Sequence, residues 1–240
     1  MLKQEYENLY SLEENFWFFK GMRKIQFNLL EKYNKNNNLK ILDTGCGTGF
    51  LMTQLKKYGE VHGIDISVDA LNYCKERGLV NVHKGTIESL PFEENTFDLV
   101  TSLDVIYHKW VKSDLEALKE INRVLKKDGL LLVQEASYNF MKSSHDKAVM
   151  TRERYTKKNL KKKLEQANFE IKKITYVNTI LFPIVLIKRL LESPSESSEV
   201  KKIPKFFNNL FTKILYFESS LLKNINFPFG LSIIAIAKKR

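Results

Sequence analysis

Apolar positions along the chain alternate between helical spacing and short strand-like runs. From Glu14 to Tyr33 apolar residues recur at helical spacing, and this segment closes in the turn-prone stretch 34–38. Beyond it, apolar runs alternate with helical segments, which is typical of parallel βαβ units. The runs are KILDTG, EVHGIDI, NVHKG, FDLVTSLDVI and GLLLVQEA, and the helical segments are Phe50–Tyr58, Val68–Arg77 and Ser113–Lys126. Five parallel strands are therefore predicted.

The remainder of the chain adds two strands and an insertion. A helix is predicted over Lys157–Ala167, before the strands FEIKKITYV and LSIIAIAKK. Between these strands lie the helix-like LFPIVLIKRLLE, the polar SPSESSE, expected to be a surface loop, and the aromatic, basic KFFNNLFTKILYF. The expected fold class is α/β: a Rossmann-like, seven-stranded, mostly parallel sheet with helices on both faces, an N-terminal helical segment and a helical insertion before the last strand.

One domain is expected over residues 1–240, because the chain is 43% hydrophobic and 28% charged, as in ordinary soluble globular proteins. Its predicted parts are an N-terminal helical cap (1–38), a cofactor-binding core (39–177), a helical insertion or lid (178–230) and the last strand (231–240). The polar, acidic N-terminus lacks the pattern of a secretory signal, and the longest apolar stretch is too short to span a bilayer. A cytoplasmic protein is expected.

Charge is distributed unevenly. Residues 142–240 carry 21 Lys and Arg against 8 Asp and Glu, whereas residues 1–141 carry 18 against 20. Such asymmetry indicates an anionic partner, namely a substrate phosphate, a membrane surface contacted peripherally or a nucleic acid, although a solvated lysine-rich surface gives the same pattern. The two cysteines, Cys46 and Cys74, lack metal-ligand spacing, so no metal site is expected.

A glycine loop follows the first predicted strand. In LDTGCGTGF, Gly45, Gly47 and Gly49 lie between that strand and a helix, the position in which such a loop can approach a ligand closely. Phe50 stands where the dinucleotide fingerprint G-x-G-x-x-G requires glycine. A nicotinamide-dependent dehydrogenase is therefore disfavoured.

With the acidic Asp43 before it, this loop resembles motif I of class I S-adenosylmethionine-dependent methyltransferases, and nearly the whole chain is similar to their type 11 methyltransferase-like branch. The resemblance implies S-adenosyl-L-methionine as cofactor. It places Asp43, Gly45, Cys46, Gly47 and Gly49 around the methionine part.

Further cofactor contacts follow from the same resemblance. Asp65, at the end of the second predicted strand, matches the acid that binds the ribose hydroxyls, with Ile66 beside it; a helix N-cap is the alternative role for Asp65. Relatives commonly carry an aspartate at the position of Thr86, so Thr86 and the backbone of Ile87 are expected to take over the adenine contact. In ENFWFFKGMR, Trp17 and Arg23 are expected to line the site, or to belong to a simple packing helix.

The fourth predicted strand ends where ligands bind in open α/β sheets, so Leu103 and Asp104 should border the cofactor. Tyr107 and His108 follow. A histidine at this point can act as general base toward a hydroxyl, because its ordinary pKa is near neutrality. A structural histidine is the competing interpretation.

The predicted activity is methyl transfer from S-adenosylmethionine to a small-molecule, glycan or lipid-linked acceptor, with a hydroxyl favoured. The apolar residues and lysines of the insertion suit a lid over an amphipathic acceptor. The basic segment and its aromatic residues favour an RNA or other nucleic-acid methyltransferase as an alternative, but the chain carries no added RNA-binding module and no Asn-Pro-Pro-Tyr-type run. A catalytically silent binding module is the third interpretation, suggested only by Thr86.

Overall fold

A seven-stranded sheet runs through the computed structural model, which describes residues 3–191 and 203–240. The strand order is β3-β2-β1-β4-β5-β7-β6. Strands β1 to β5 are parallel to one another, and β7 lies antiparallel between β5 and β6. The strands are β1 (Leu39–Thr44), β2 (Gly59–Asp65), β3 (Val82–Lys84), β4 (Phe97–Leu103), β5 (Leu125–Ala136), β6 (Phe169–Val177) and β7 (Ser232–Lys239). The predicted Rossmann-like, mostly parallel sheet is confirmed.

Nine α-helices connect or cover the described strands. They are α1 (Lys3–Leu12), α2 (Trp17–Tyr33), α3 (Phe50–Leu55), α4 (Val68–Glu76), α5 (Asp114–Val124), α6 (Ser144–Ala148), α7 (Lys157–Gln166), α8 (Phe182–Leu191) and α9 (Lys205–Leu222). The helix expected from Glu14 begins at Trp17 instead, because the preceding residues form a turn. The helix expected to reach Tyr58 ends at Leu55 and continues as a 3-10 turn.

Alternate residues of the central strands pack on opposite faces of the sheet, which explains their nearly unbroken apolar sequences. Leu42 of β1 packs in a cluster with α5 and α7, whereas its neighbour Ile41 packs in a cluster with α3 and α4. In β7, Ile234 and Ile236 pack against α2 and α9. The helices therefore cover both faces.

The N-terminal helices and the insertion meet on one side of the molecule, where α2 packs lengthwise on α9. The SPSESSE stretch (193–199) lies outside the described residues. Within the described ranges, no helix combines the length and the apolarity that crossing a bilayer requires.

Candidate active site

The glycine loop between β1 and α3 needs its glycines for conformation and for space. Gly45, Gly47 and Gly49 adopt φ values of 65°, 54° and 81°, in the left-handed region. A Cβ atom on Gly45 would lie 2.5 Å from Cγ2 of Val105, in the loop after β4. The loop therefore holds its backbone against the carboxyl end of the sheet, where a ligand can reach it.

Asp43 ends up buried beside this loop without a cationic partner. Its side chain is 3% exposed, and Oδ1 accepts a hydrogen bond of 2.6 Å from the Thr101 hydroxyl. Burial raises the pKa of Asp43 to about 7, against the lowering effect of Thr101. Within the described chain no Lys or Arg pairs with it. A buried carboxyl in this state fits the ammonium group of a bound amino acid moiety, which would pair with its charged form.

Asp65, at the end of β2, connects that strand to the glycine loop. Its Oδ2 accepts from the Gly47 N–H at 2.9 Å, and its Oδ1 accepts from the Ser67 N–H at 2.9 Å. The N-cap of α4 is Ser67, whose hydroxyl accepts from Ala70 N. Burial raises the pKa of Asp65, and the two backbone hydrogen bonds oppose that rise. The carboxylate oxygens keep acceptor capacity for a ligand.

The turn between α1 and α2 closes over the glycine loop through Glu13. Its Oε1 accepts from the Thr48 hydroxyl at 2.5 Å and from Nη2 of Arg77 at 2.7 Å. Arg23, predicted to line the site, donates to the carbonyls of Glu13 and Glu14, and its guanidinium lies 4.6 Å from the Phe50 ring centroid. Through these contacts, the guanidinium of Arg23 also holds the turn between α1 and α2 against the start of α3.

Trp17 begins α2 at the junction with the insertion. Its backbone N–H donates to Oδ1 of Asn208 at 2.8 Å, and its ring meets that of Phe211 edge-on at 5.3 Å between centroids. Both contacts are on α9. The N-terminal segment and the insertion therefore meet around this tryptophan.

Almost all of the predicted site residues line one cavity of about 760 Å³. Of the predicted cofactor residues, only Gly49 is outside its lining; it packs against Leu79 and Cys74 instead. The two candidate catalytic residues also border the cavity. The predicted residues in its lining are Trp17, Arg23, Asp43, Gly45, Cys46, Gly47, Asp65, Ile66, Thr86, Ile87, Leu103, Tyr107 and His108.

Residues 35–207 match the protein family described as "Methyltransferase domain". The chain belongs to this family. With its class I fold, it is an S-adenosylmethionine-dependent methyltransferase.

Relatives share different lengths of the methyltransferase. It is 31% identical to an uncharacterised protein of Methanocaldococcus jannaschii over 204 residues, which cover 75% of this chain and 78% of that protein. It is 41% identical to the demethylmenaquinone methyltransferase of Staphylococcus haemolyticus over 106 residues, 41% of this chain and 44% of that enzyme. Its fold is similar to that of an S-adenosylmethionine-dependent methyltransferase from Thermotoga maritima, with a TM-score of 0.63, 20% identity and coverage of 99% and 96% of the two chains.

The methyltransferase cavity continues past Leu103 into a polar cluster at the end of β4. Asp104 adopts a φ of 59°, and its Oδ2 accepts from Nε2 of Gln134 at 2.7 Å. Oε1 of Gln134 in turn accepts from Nε2 of Gln26 at 2.8 Å. Burial raises the pKa of Asp104 to about 6, and the bond from Gln134 opposes the rise.

Tyr107 and His108 lie next in this cluster, with ring centroids 4.4 Å apart. Burial lowers the pKa of His108 to about 4, so the imidazole is neutral at pH 7. Its Nδ1 is buried without a hydrogen-bond partner among the described residues. Burial and the nearby Asp104 raise the pKa of Tyr107 well above its usual value. Both side chains thus face the cavity in neutral form.

Sequence reasoning missed several polar residues of the site. Asp146 and Arg154 form a two-pronged ion pair, with N–O distances of 2.8 and 2.9 Å and side chains 6% exposed. Arg154 and Gln26 both border the cavity. None of these residues belongs to a recognisable motif, and Gln26 meets Gln134 across 108 positions of sequence. Glu88 also lines the cavity, and its Oε1 accepts from the Ser113 N–H at the start of α5.

Proposed function

We propose that this methyltransferase methylates a hydroxyl group on a small-molecule, glycan or lipid-linked acceptor that has an apolar part. One observation carries the proposal: besides the polar cluster, the cavity lining includes a set of apolar residues, which we call the apolar lobe. These residues come from the start of α2, the loop after β4, the end of α6, the start of α8 with the residue before it, and α9. They are Phe18, Trp110, Val111, Val149, Leu181, Ile184, Val185 and Phe211. An acceptor with an apolar body fits such a lining.

For the cofactor, we infer the arrangement that the family resemblance implies. Asp43 and the glycine loop hold the methionine part, Asp65 the ribose, and Ile66, Thr86 and Ile87 the adenine, with Leu103, Trp17 and Arg23 around them. Thr86 is exposed within the cavity and Ile87 is buried, so a hydroxyl and an apolar surface are available there.

Titration calorimetry with S-adenosylmethionine tests the ribose contact. Asp65→Ala should weaken binding at least tenfold, about 1.4 kcal/mol. Asp69→Ala is the matched control, because Asp69 lies on the first turn of α4 but not on the cavity. Equal affinities for the two variants would show that Asp65 does not contact the cofactor.

S-adenosylmethionine supplies a methyl group already activated on its sulfonium, so placement of the acceptor supplies much of the catalysis. The acceptor hydroxyl must lose a proton, and we infer that His108, with Tyr107 beside it, accepts it. Asp104 is the competing base, because its pKa of about 6 lies closer to the working pH.

The pH profile of kcat/KM for the acceptor separates these bases, because it reports groups of the enzyme form that binds the acceptor. It is measured at saturating S-adenosylmethionine, so that protonation of Asp43 does not limit cofactor binding. With His108 as base, activity falls only as the pH drops through about 4. With Asp104 as base, it falls as the pH drops through about 6. Asp104→Asn should leave the profile intact in the first case and remove most activity in the second; Tyr107→Phe tests the neighbouring hydroxyl.

The acceptor class can be found with the methyl-labelled cofactor. Purified enzyme is incubated with aqueous, organic-extractable and nucleic-acid fractions of cells, and label is counted in each. We expect label in the organic fraction or in small glycan-containing molecules. The partial match to a demethylmenaquinone methyltransferase supports a small-molecule acceptor. Label confined to nucleic acid would overturn the proposal.

The nucleic-acid alternative rests on the basic excess of residues 142–240. Five of the 21 Lys and Arg in this segment lie on α7, which packs on β6 and α5 and contributes no residue to the cavity, whereas Arg154, Lys188 and Arg189 line it. The lysines of α7 therefore lie outside the cofactor site. A lipid-linked acceptor would instead bring the enzyme into peripheral contact with a membrane.

A further inference from the structure

Helix α9 has one side packed on the protein and one apolar side turned outward. Its inner side packs on α2 through buried residues that include Leu215 and Ser219. On the opposite side, Phe206, Leu210 and Phe217 follow one another at helical spacing and are 71%, 41% and 61% exposed. Large apolar side chains this exposed, in a row, mark an interaction surface.

Helix α8 carries a second exposed apolar row. Ile180, just before α8, and Ile184 and Ile187 within it are 39%, 59% and 58% exposed and share one side of the helix. Glu218 holds the start of α8 against α9, because its Oε2 accepts from the N–H groups of Thr179 and Ile180 at 2.9 and 3.0 Å. Phe217 is its sequence neighbour. We call these six apolar residues the α8–α9 face: Ile180, Ile184, Ile187, Phe206, Leu210 and Phe217.

The α8–α9 face adjoins the apolar lobe of the cavity. Ile184 belongs both to the exposed row and to the cavity wall, and Leu181 and Val185 line the cavity from the adjacent side of α8. On α9, Phe211 lines the cavity next to Leu210 of the face. A molecule bound on the face would therefore lie beside the acceptor lobe.

The charges around the face are positive. Lys205 and Lys213 are exposed on α9, whereas Lys188 and Arg189 of α8 line the cavity and Nη1 of Arg189 donates to the Met141 carbonyl. Over the described lengths of the two helices Glu218 is the one acid, and it is 0% exposed. On these described helix lengths, apolar and aromatic side chains flanked by lysines and without an exposed acid complement the interface of a bilayer that contains anionic lipids.

We propose that the α8–α9 face docks on an anionic lipid bilayer, with both helices in the interfacial plane and the acceptor lobe opening beside the lipid. The inference extends the proposed function, because a lipid-borne acceptor could then enter the lobe without crossing water. Docking itself requires no acceptor, so the two proposals fail separately.

Vesicle sedimentation with the full chain tests the docking. Large unilamellar vesicles of phosphatidylcholine alone are compared with vesicles that contain 40% phosphatidylglycerol. We expect the wild type to bind the anionic vesicles at least tenfold more strongly, and Phe206→Ser/Phe217→Ser to lose at least tenfold of that binding. Val80→Ser is the matched control, since Val80 is 87% exposed beside β3, at the far end of the sheet from β6 and β7, and should bind as wild type.

Two charge-reversal variants distinguish docking through the α8–α9 face from general electrostatic attraction to the vesicle. Lys205→Glu/Lys213→Glu should weaken binding far more than Lys158→Glu/Lys162→Glu, which makes the same change in net charge on exposed lysines of α7. The proposal is overturned by wild type that does not bind anionic vesicles, by phenylalanine variants that bind normally, or by equal effects of the lysine pairs. Analytical ultracentrifugation that shows a dimer broken by the phenylalanine variant would assign the face to a second copy. Calorimetry with S-adenosylmethionine should give the same affinity for all variants. A loss of vesicle binding can then be distinguished from a loss of cofactor binding.

Discussion

At the residue scale, the site is built from carboxyl groups that are buried with few compensating charges. Asp43 accepts one hydrogen bond, from Thr101, and Asp104 accepts one, from Gln134. Because burial disfavours a charge, both groups hold protons more tightly than in water. A cationic ligand beside Asp43 reverses this effect, so cofactor binding and ionisation of Asp43 should be coupled.

The affinity for S-adenosylmethionine should therefore depend on pH through Asp43. Below its pKa of about 7 a proton competes with the ammonium group of the ligand, so Kd should fall toward a plateau as the pH rises from 5.5 to 8. Calorimetry in buffers of equal ionic strength measures this. Asp43→Asn should bind weakly with a nearly flat profile. A wild-type Kd that is constant over the range would show that the carboxylate does not meet the ligand cation.

At the element scale, the contact between α2 and α9 fixes the insertion on the core. The backbone of Gly21 allows α9 to approach closely, because an added Cβ would lie 2.2 Å from Cδ1 of Leu215. Nearby, Nδ2 of Asn28 donates to the Ser219 hydroxyl at 2.7 Å, and that hydroxyl donates to the Lys24 carbonyl at 3.1 Å. Buried polar groups paired in this way fix how the two helices lie against each other.

Gly21→Ala should destabilise the protein although alanine is the better helix former. Helix propensity alone predicts a gain of about 0.5–1 kcal/mol, whereas overpacking against Leu215 predicts a loss of about 1–3 kcal/mol. Urea unfolding measures the sign. In the double variant Gly21→Ala/Leu215→Ala the loss should be smaller than the sum of the two single losses. Increased stability of Gly21→Ala would show that α9 has room to move away.

At the scale of the whole molecule, the shifted pKa values of the buried cavity side chains make the stability of the fold depend on pH. Asp43 and Asp104 have folded-state pKa values of about 7 and 6, above the ordinary value of 3.8, and the pKa of Glu135 is also raised by burial. Between pH 4 and 7 the folded chain thus binds more protons at these groups than the unfolded chain does. His108, with its pKa lowered to about 4, has the opposite effect, but one imidazole is outweighed by the three buried acids. Stability should therefore decrease as the pH rises through this window.

The free energy of unfolding without cofactor should consequently be higher at pH 5 than at pH 8. The contribution of Asp43 is on the order of 4 kcal/mol across the full window, from the shift of its pKa from 3.8 to about 7. Urea denaturation at the two pH values gives the difference, and Asp43→Asn should make it smaller. A protein more stable at pH 8 would show that other titrating groups outweigh these buried acids.

The sheet, the glycine loop and the position of Asp65 at the end of β2 could all be predicted from the sequence, because they depend on local patterns. Apolar runs define buried strands, and Gly45 and Gly47 mark a left-handed turn that glycine adopts without strain. The sequence did not predict which polar residues meet beyond the loop, because that depends on the tertiary structure. Gln26 and Gln134 pair across the cavity, and Glu13 reaches Thr48 and Arg77, because folding brings distant segments together in ways no local pattern records. Tertiary burial also set the pKa of His108 to about 4, which the residue type alone does not give.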